Sequence, residues 1–371
     1  MSRSSQNIDT QREEIADAFG RNTDPLKGYT KTFNQTDVDP FELYVEDVLE
    51  SQGLTEATHR HYHAAISQWC DFMEETDRHP ACPNERYVKE FAFYLQNERG
   101  NQMDTVEKKL LRLNKAYEYW QNDPAFPHPQ DYNPFSLARS KLSIRRPDPK
   151  DPPRIPIPEL AETVRDVKHI RQRLIIVLQL KLGLRAGEMA NLQLQDINVQ
   201  IEDIRECYPQ LGSHPMVEDR PNAIYIAPKH ERSGNKSGRP RVLPLDGETR
   251  RALIEYLLIR PDAGNQWLIL SKTHHSKMEN EGINRAWVEV FQPEYEETPE
   301  HRGVTSHYGR HRFTTYWQVE EEINRELVKY MRGDLTRGSS LDDRSAMDEY
   351  IHTYYEDIED IYRKRIFKLN I

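Results

Sequence analysis

The chain has 371 residues, 36% of them hydrophobic and 30% charged, which is enough for two domains with separate cores. It holds no run of eighteen apolar residues, so no membrane-spanning helix is expected; the polar start, Met1 to Thr10, lacks the apolar stretch of a secretory leader, and a cytoplasmic protein is expected. Cys70, Cys82 and Cys207 form no CxxC pair and no zinc spacing, so reduced, packed thiols are expected and no metal site. The net charge of −10 disfavours broad binding to nucleic acid, so any phosphate contact must rest on a local concentration of cations. An acidic surface of this kind also suits a protein that works at high salt.

In chain order, residues 1–38 are polar and weakly periodic. They read as a flexible arm with room for one short helix near Gln11 to Phe19. Residues 39–137 read as a helical bundle. Asp39-Pro40 opens a helix that Gly53 ends, and Thr55 is the N-cap of the next, with Tyr62, Ala65, Ile66, Trp69, Phe72 and Met73 on one face. Tyr87 to Leu95 and Val106 to Trp120 supply two more. Residues 138–158 are Pro-rich and basic, and read as an extended linker: Arg145, Arg146, Lys150 and Arg154 serve either as a solvated spacer or as a strap along a DNA backbone. Residues 159–371 read as a second, mainly helical domain. Its helix Ile170 to Leu182 stops at Gly183, and a β-hairpin (Ala223 to Ala227, Arg241 to Leu245) is followed by helices near 248–258, 283–291, 307–319, 323–331 and 345–355.

Three segments of the second domain carry residues suited to phosphate chemistry. Leu182-Gly183-Leu184-Arg185 places a forked cation at a helix junction, with Glu188 as a ready partner. His307 and Arg310 fall on one helix face beside Arg312; imidazole and guanidinium together suit a phosphate, although a solvated basic helix has the same pattern. Near the end, Glu349-Tyr350-Ile351-His352-Thr353-Tyr354 offers phenols that can attack phosphorus or simply pack.

In this order the segments resemble the tyrosine recombinases, or phage integrase family, in a Xer-like form similar to integrases of salt-loving archaea. Leu182 to Ile197 is similar to the family's GLRxxE box, His307-x-x-Arg310-His311-x-Phe313 to its HxxRHxF box, and Glu349 to His352 to the segment around its nucleophile. The resemblance spans roughly residues 40–370 and implies a mainly α fold with a small β-hairpin: a helical core-binding domain ahead of a catalytic domain. It implies that Arg185 and Arg310 clamp the scissile phosphate and that His307 assists the proton transfers. A hairpin lysine, Lys236 with Lys229 as competitor, serves as general acid, and Tyr350, with Tyr354 as runner-up, is the nucleophile. The activity implied is cutting and rejoining of double-stranded DNA through a 3′-phosphotyrosine, with neither metal nor nucleotide cofactor. A homotetramer would form on DNA from monomers or dimers, the tail after Tyr350 packing on a neighbour or on its own subunit. Arg312 joins the linker cations as a DNA-binding candidate.

One position departs from the family. Where His or Trp is usual, Met331-Arg332-Gly333-Asp334 supplies a carboxylate, which cannot donate a hydrogen bond while ionised. Asp334 is therefore an auxiliary candidate, able to accept from Arg310. It keeps two alternatives open: a DNA-binding protein of this fold with impaired catalysis, and an enzyme similar to type IB topoisomerases.

Overall fold

The computed structural model describes residues 3–142, 150–262, 264–334 and 344–371; the side chains of 3–9 and 344–354 lie outside this description. The chain divides into two compact units, Met1–Pro149 and Lys150–Ile371.

The first unit is a helical bundle. Glu56–Glu74 starts where Thr55 Oγ1 accepts the amide of Thr58, Glu85–Asn97 where Asn84 caps Tyr87, and Pro134–Lys141 where Asn133 caps Ser136 with proline in the first turn. Met103–Asn122 completes the set. Their apolar stripes meet in an aromatic core, with Trp69 edge-on to Phe91 at 5.1 Å and Tyr117, Trp120 and Phe135 buried around them. The arm expected over residues 1–38 is not uniformly open chain. Arg3–Ala18 is helical, Leu26 is sealed in the core, and Arg78 forks onto Asp24 at 2.6 and 2.9 Å. The linker is also shorter than the Pro-rich stretch suggested, because Phe135 and Ala138 are buried in this unit and Ile155 is buried in the second. Arg145 and Arg146 lie outside the described residues.

The second unit is built around Ile170–Leu182. Every residue from Leu174 to Leu182 is buried, so this helix is covered on all sides, by Gly247–Ile259, Asn280–Phe291 and Ser306–Thr315. A three-stranded antiparallel sheet packs beside it in the order β1 (Ile197–Asn198), β2 (Ala223–Ile226), β3 (Arg241–Pro244), with Ile224 opposite Leu243. The expected hairpin is present as β2 and β3; β1 is too short to show a period. Arg325–Arg332 and the long Arg344–Arg365 follow.

The C-terminal tail packs on its own unit rather than leaving it. Ile366, Phe367 and Leu369 are buried, and Glu248 accepts the amides of Leu369 (2.9 Å) and Asn370 (2.7 Å). The fully buried Lys181 ammonium bonds Asp246 (3.0 Å), Glu248 (2.7 Å) and the Phe367 carbonyl, so the tail completes the pairing of a buried charge. Phe367→Ala should therefore cost about 3–5 kcal/mol of unfolding free energy, read by denaturant titration. A loss within ~0.5 kcal/mol, typical of a surface change, would show that the tail is not part of the core.

Candidate active site

Two helix ends deliver the site. The central helix stops at Gly183, whose φ of +64° is left-handed, and the chain turns so that Arg185 heads the next helix, Ala186–Ala190. Arg325–Arg332 stops in the same way at Gly333 (φ +68°), and Asp334 follows it. Gly333 has a second reason to lack a side chain, since a Cβ there would collide with Ser237 Oγ and the Arg241 guanidinium. Buried Gln179 braces the first turn: its Nε2 donates to Leu184 O at 3.1 Å, and its Oε1 accepts from Trp287 Nε1 at 2.6 Å.

The guanidiniums of Arg185 and Arg310 converge. Nη2 of each donates to the same oxygen, Asp334 Oδ1, at 2.8 Å. Arg310 is 2% exposed, and its Nη1 is held by Gly183 O (2.9 Å) and Arg332 O (3.0 Å). Burial first, then Arg185 and Arg241, push this guanidinium down to about 9, which still leaves it protonated at neutral pH. A third cation, Arg332, places Nε 2.9 Å from Asp334 Oδ2, although that Nε has no aligned hydrogen-bond acceptor.

Glu188 lies beneath the arginines and is 1% exposed. It accepts from the Arg185 amide (2.9 Å) and Nη1 (3.1 Å), from Ser237 Oγ (2.6 Å), and from Arg241 Nη1 (3.2 Å) and Nη2 (2.9 Å). Burial alone would raise its pKa, but Arg241, Ser237 and the Arg185 amide outweigh it and hold the carboxylate at about 2. The sequence offered Glu188 only as a partner for Arg185. Ser237, Arg241 and Arg332 were not singled out, although an arginine heading an otherwise apolar strand, Arg241-Val-Leu-Pro, is a sign of a buried acid.

His307 is exposed at the start of Ser306–Thr315, its ring edge-on to His311 at 4.5 Å. Lost hydration first, then His311, Arg310, Arg185 and Arg332, push its pKa down to about 4, so the ring is neutral at pH 7. Lys236 is exposed on the hairpin loop between two inward residues: Asn235, bonded to Ala227 O at 2.8 Å, and Ser237, 3.4 Å from Arg185 Nη1. Lys229 is exposed across the loop, its amide donating to Ser237 O at 2.8 Å. Tyr350 and Tyr354 lie on Arg344–Arg365, but their side chains are outside the described residues. Tyr355 is buried, and desolvation first and then Glu359 raise its phenol to about 12.

Of the cations expected to face DNA, Lys150 pairs with Glu297 at 2.6 Å and Arg154 is exposed. Arg312 is 9% exposed and forks onto the exposed Glu320 at 2.7 and 3.1 Å. Among the described residues no group of three or more His, Cys, Asp or Glu side chains is placed to hold a metal, and no helix is long and apolar enough to cross a membrane.

The His307 pKa predicts a titration. Its ring signals in the free protein should stay neutral down to about pH 4, as read by NMR. An unfolded histidine takes its proton near ~6.5, so protons favour the unfolded chain between these values and stability falls as pH drops through that window. A His307 midpoint at or above ~6.5 would contradict the crowding described. Separately, Glu188→Gln leaves Arg241 buried without its counter-ion, and a loss of about 3–5 kcal/mol is expected in chemical unfolding; an unchanged midpoint would remove Glu188 from the centre of the site.

Residues 156–333 match the Phage integrase family model. No curated protein matches the chain. Among solved structures, a Tn1549 transposon integrase in complex with transposon right end DNA is 17% identical with a TM-score of 0.58, the match covering 85% of this chain and 100% of that one. A lambda integrase tetramer bound to a Holliday junction is 14% identical with a TM-score of 0.59, covering 91% and 89%. A lambda integrase dimer bound to a COC′ core site is also 14% identical, at 0.57, covering 86% and 94%. At these identities the structures speak for the fold, while the family match covers Arg185 and Arg310 and ends one residue before Asp334. Through residues 156–333 of its second unit, this chain matches the phage integrase family of tyrosine recombinases.

Proposed function

We propose that the chain is a site-specific DNA recombinase that breaks and rejoins strands through a 3′-phosphotyrosine. The observation that carries this reading is the single anionic oxygen held between Nη2 of Arg185 and Nη2 of Arg310. A phosphodiester resists attack because its charge repels the nucleophile. Two fixed guanidiniums offset the charge that builds up in the transition state, and preorganised donors of this kind contribute on the order of 2.7–4 kcal/mol each.

In this reading the phosphate enters between the arginines and the Tyr350 oxygen attacks phosphorus. A phenol titrates near ~10, so its proton must be taken up, and the neutral His307 ring has a free lone pair for it. The leaving 5′ oxygen takes a proton from Lys236. Lys236 is preferred to Lys229 because it adjoins Ser237, which reaches Arg185. Attack by a 5′ hydroxyl on the phosphotyrosine then rejoins strands and conserves the bond energy, so no nucleotide is consumed. The solved lambda integrase tetramer on a junction supports assembly on double-stranded DNA as a tetramer. Arg154 and Lys150, with Arg145 and Arg146, are the proposed backbone contacts.

A second reading has a specific observation behind it: Asp334 occupies the anion seat, as it would in a DNA-binding relative that no longer cleaves. One experiment separates the two. On a nicked suicide duplex the wild-type protein should form a denaturant-resistant covalent adduct, Tyr350→Phe none, and Tyr354→Phe a normal amount. Arg310→Ala should slow adduct formation by about 10²–10³-fold. An adduct that persists in Tyr350→Phe sinks the choice of nucleophile, and no adduct with the wild-type protein favours the non-cleaving reading.

A further inference from the structure

Asp334 lies where a substrate anion is needed. A carboxylate oxygen shared by two guanidinium forks has the charge and reach of one non-bridging phosphate oxygen. The same two Nη2 groups cannot serve both this carboxylate and an incoming phosphodiester. We propose that Asp334 is an exchangeable counter-ion: it neutralises the Arg185–Arg310 pair in the free protein and gives up its place when a phosphate oxygen binds. The proposal rests on reading that pair as a phosphate seat.

The geometry says which partner moves. Arg310 is fixed, with a side chain 3% exposed and Nη1 tied to two carbonyls, whereas the Asp334 side chain is 26% exposed. Arg185 is held from below by Glu188. The carboxylate also has somewhere to go. Its Oδ2 already lies 2.9 Å from Arg332 Nε, a buried donor with no aligned acceptor, so rotation toward Arg332 exchanges one cation for another instead of stranding a charge. The arginines therefore stay in place and stay paired in the absence of substrate. Any anion must displace an intramolecular rival, which discriminates against weak or singly placed anions and favours a phosphodiester also held by contacts elsewhere.

The test uses the full chain and inorganic phosphate as probe, with melting temperature followed against phosphate concentration in chloride buffer. Asp334→Asn and Asp334→Ala should melt below wild type without phosphate and recover on its addition, half-saturating at about tenfold lower phosphate than wild type or less. Adding Arg310→Ala to Asp334→Asn should abolish that gain. Equal phosphate response in wild type and both variants, or a gain that survives Arg310→Ala, overturns the proposal. Should the variants not fold, the wild-type protein decides: in a phosphate-bound structure Asp334 Oδ1 must have left at least one arginine, and an Oδ1 still bonded to both refutes exchange. The covalent-trapping assay is independent. Tighter phosphate binding without any DNA adduct sinks the strand-transfer reading and leaves exchange standing, while an adduct without the gain sinks exchange alone.

Discussion

The site depends on one buried carboxylate. Arg185, Arg241 and Arg310 bring three positive charges into a small volume, and Arg241 and Arg310 have almost no access to water. Cations this close repel one another, and burial raises the cost of each charge. Glu188 makes the arrangement tenable. It takes donors from the turn after the central helix, from the hairpin loop and from β3, and Arg241 in turn donates to Met331 O at 2.9 Å. Three chain regions remote from one another in sequence, 185–188, 237–241 and, through Arg241, Met331, are thus linked through one acid that also holds Arg185. Polar networks of this kind favour order when fully satisfied and are costly when one member is lost.

Glu188 cannot also neutralise the outer edge of the arginine pair, because its oxygens are engaged below. A second anion is needed above, and in the free protein Asp334 supplies it. The overall balance is consistent with this division. With a net charge of −10 the protein has no general attraction for a polyanion, and the charges of Arg185 and Arg310 are matched by two acids, Glu188 and Asp334. Acid outside and matched cations inside allow discrimination, since an anion gains little until it reaches the position where both guanidinium forks meet it.

Much of this was legible in the residues, because the chemistry sits at punctuation marks. Gly183 ending an apolar helix, Arg185 two residues later, the His307/Arg310 spacing and the Gly333-Asp334 pair are local features, and local features survive translation into structure. The bundle was legible for the same reason: Thr55, Asn84 and Asn133 cap helices whose apolar spacing is plain. What escaped was non-local. That Arg312 turns inward depends on Glu320 meeting it after a change of helical pitch in Tyr316–Glu320. That the arm contributes to a core depends on Leu26 and Asp24 finding partners tens of residues away. The tail was ambiguous because Ile366, Phe367 and Leu369 satisfy any apolar surface equally well; only the polar atoms around Lys181, which need the tail's carbonyl and amides, choose its own unit.

The remaining element, the helix carrying Tyr350 and Tyr354, is tied to this framework through its C-terminal half. Tyr362 donates to Lys181 O at 2.8 Å, Arg363 reaches Leu245 O (2.7 Å) and Asn222 O (3.1 Å), and Tyr355 packs against the sheet near Arg220. Lys181 is two residues before Gly183, and Leu245 follows β3, whose Arg241 binds Glu188. The anchors of that helix are therefore next-door neighbours in sequence of the residues that orient Arg185. The Arg185–Asp334–Arg310 cluster, by contrast, is made from residues up to Asp334. Under the proposed recombinase reading, a site divided in this way holds its anion before its nucleophile is aligned, so control falls on the approach of the phenol rather than on the binding of the phosphate.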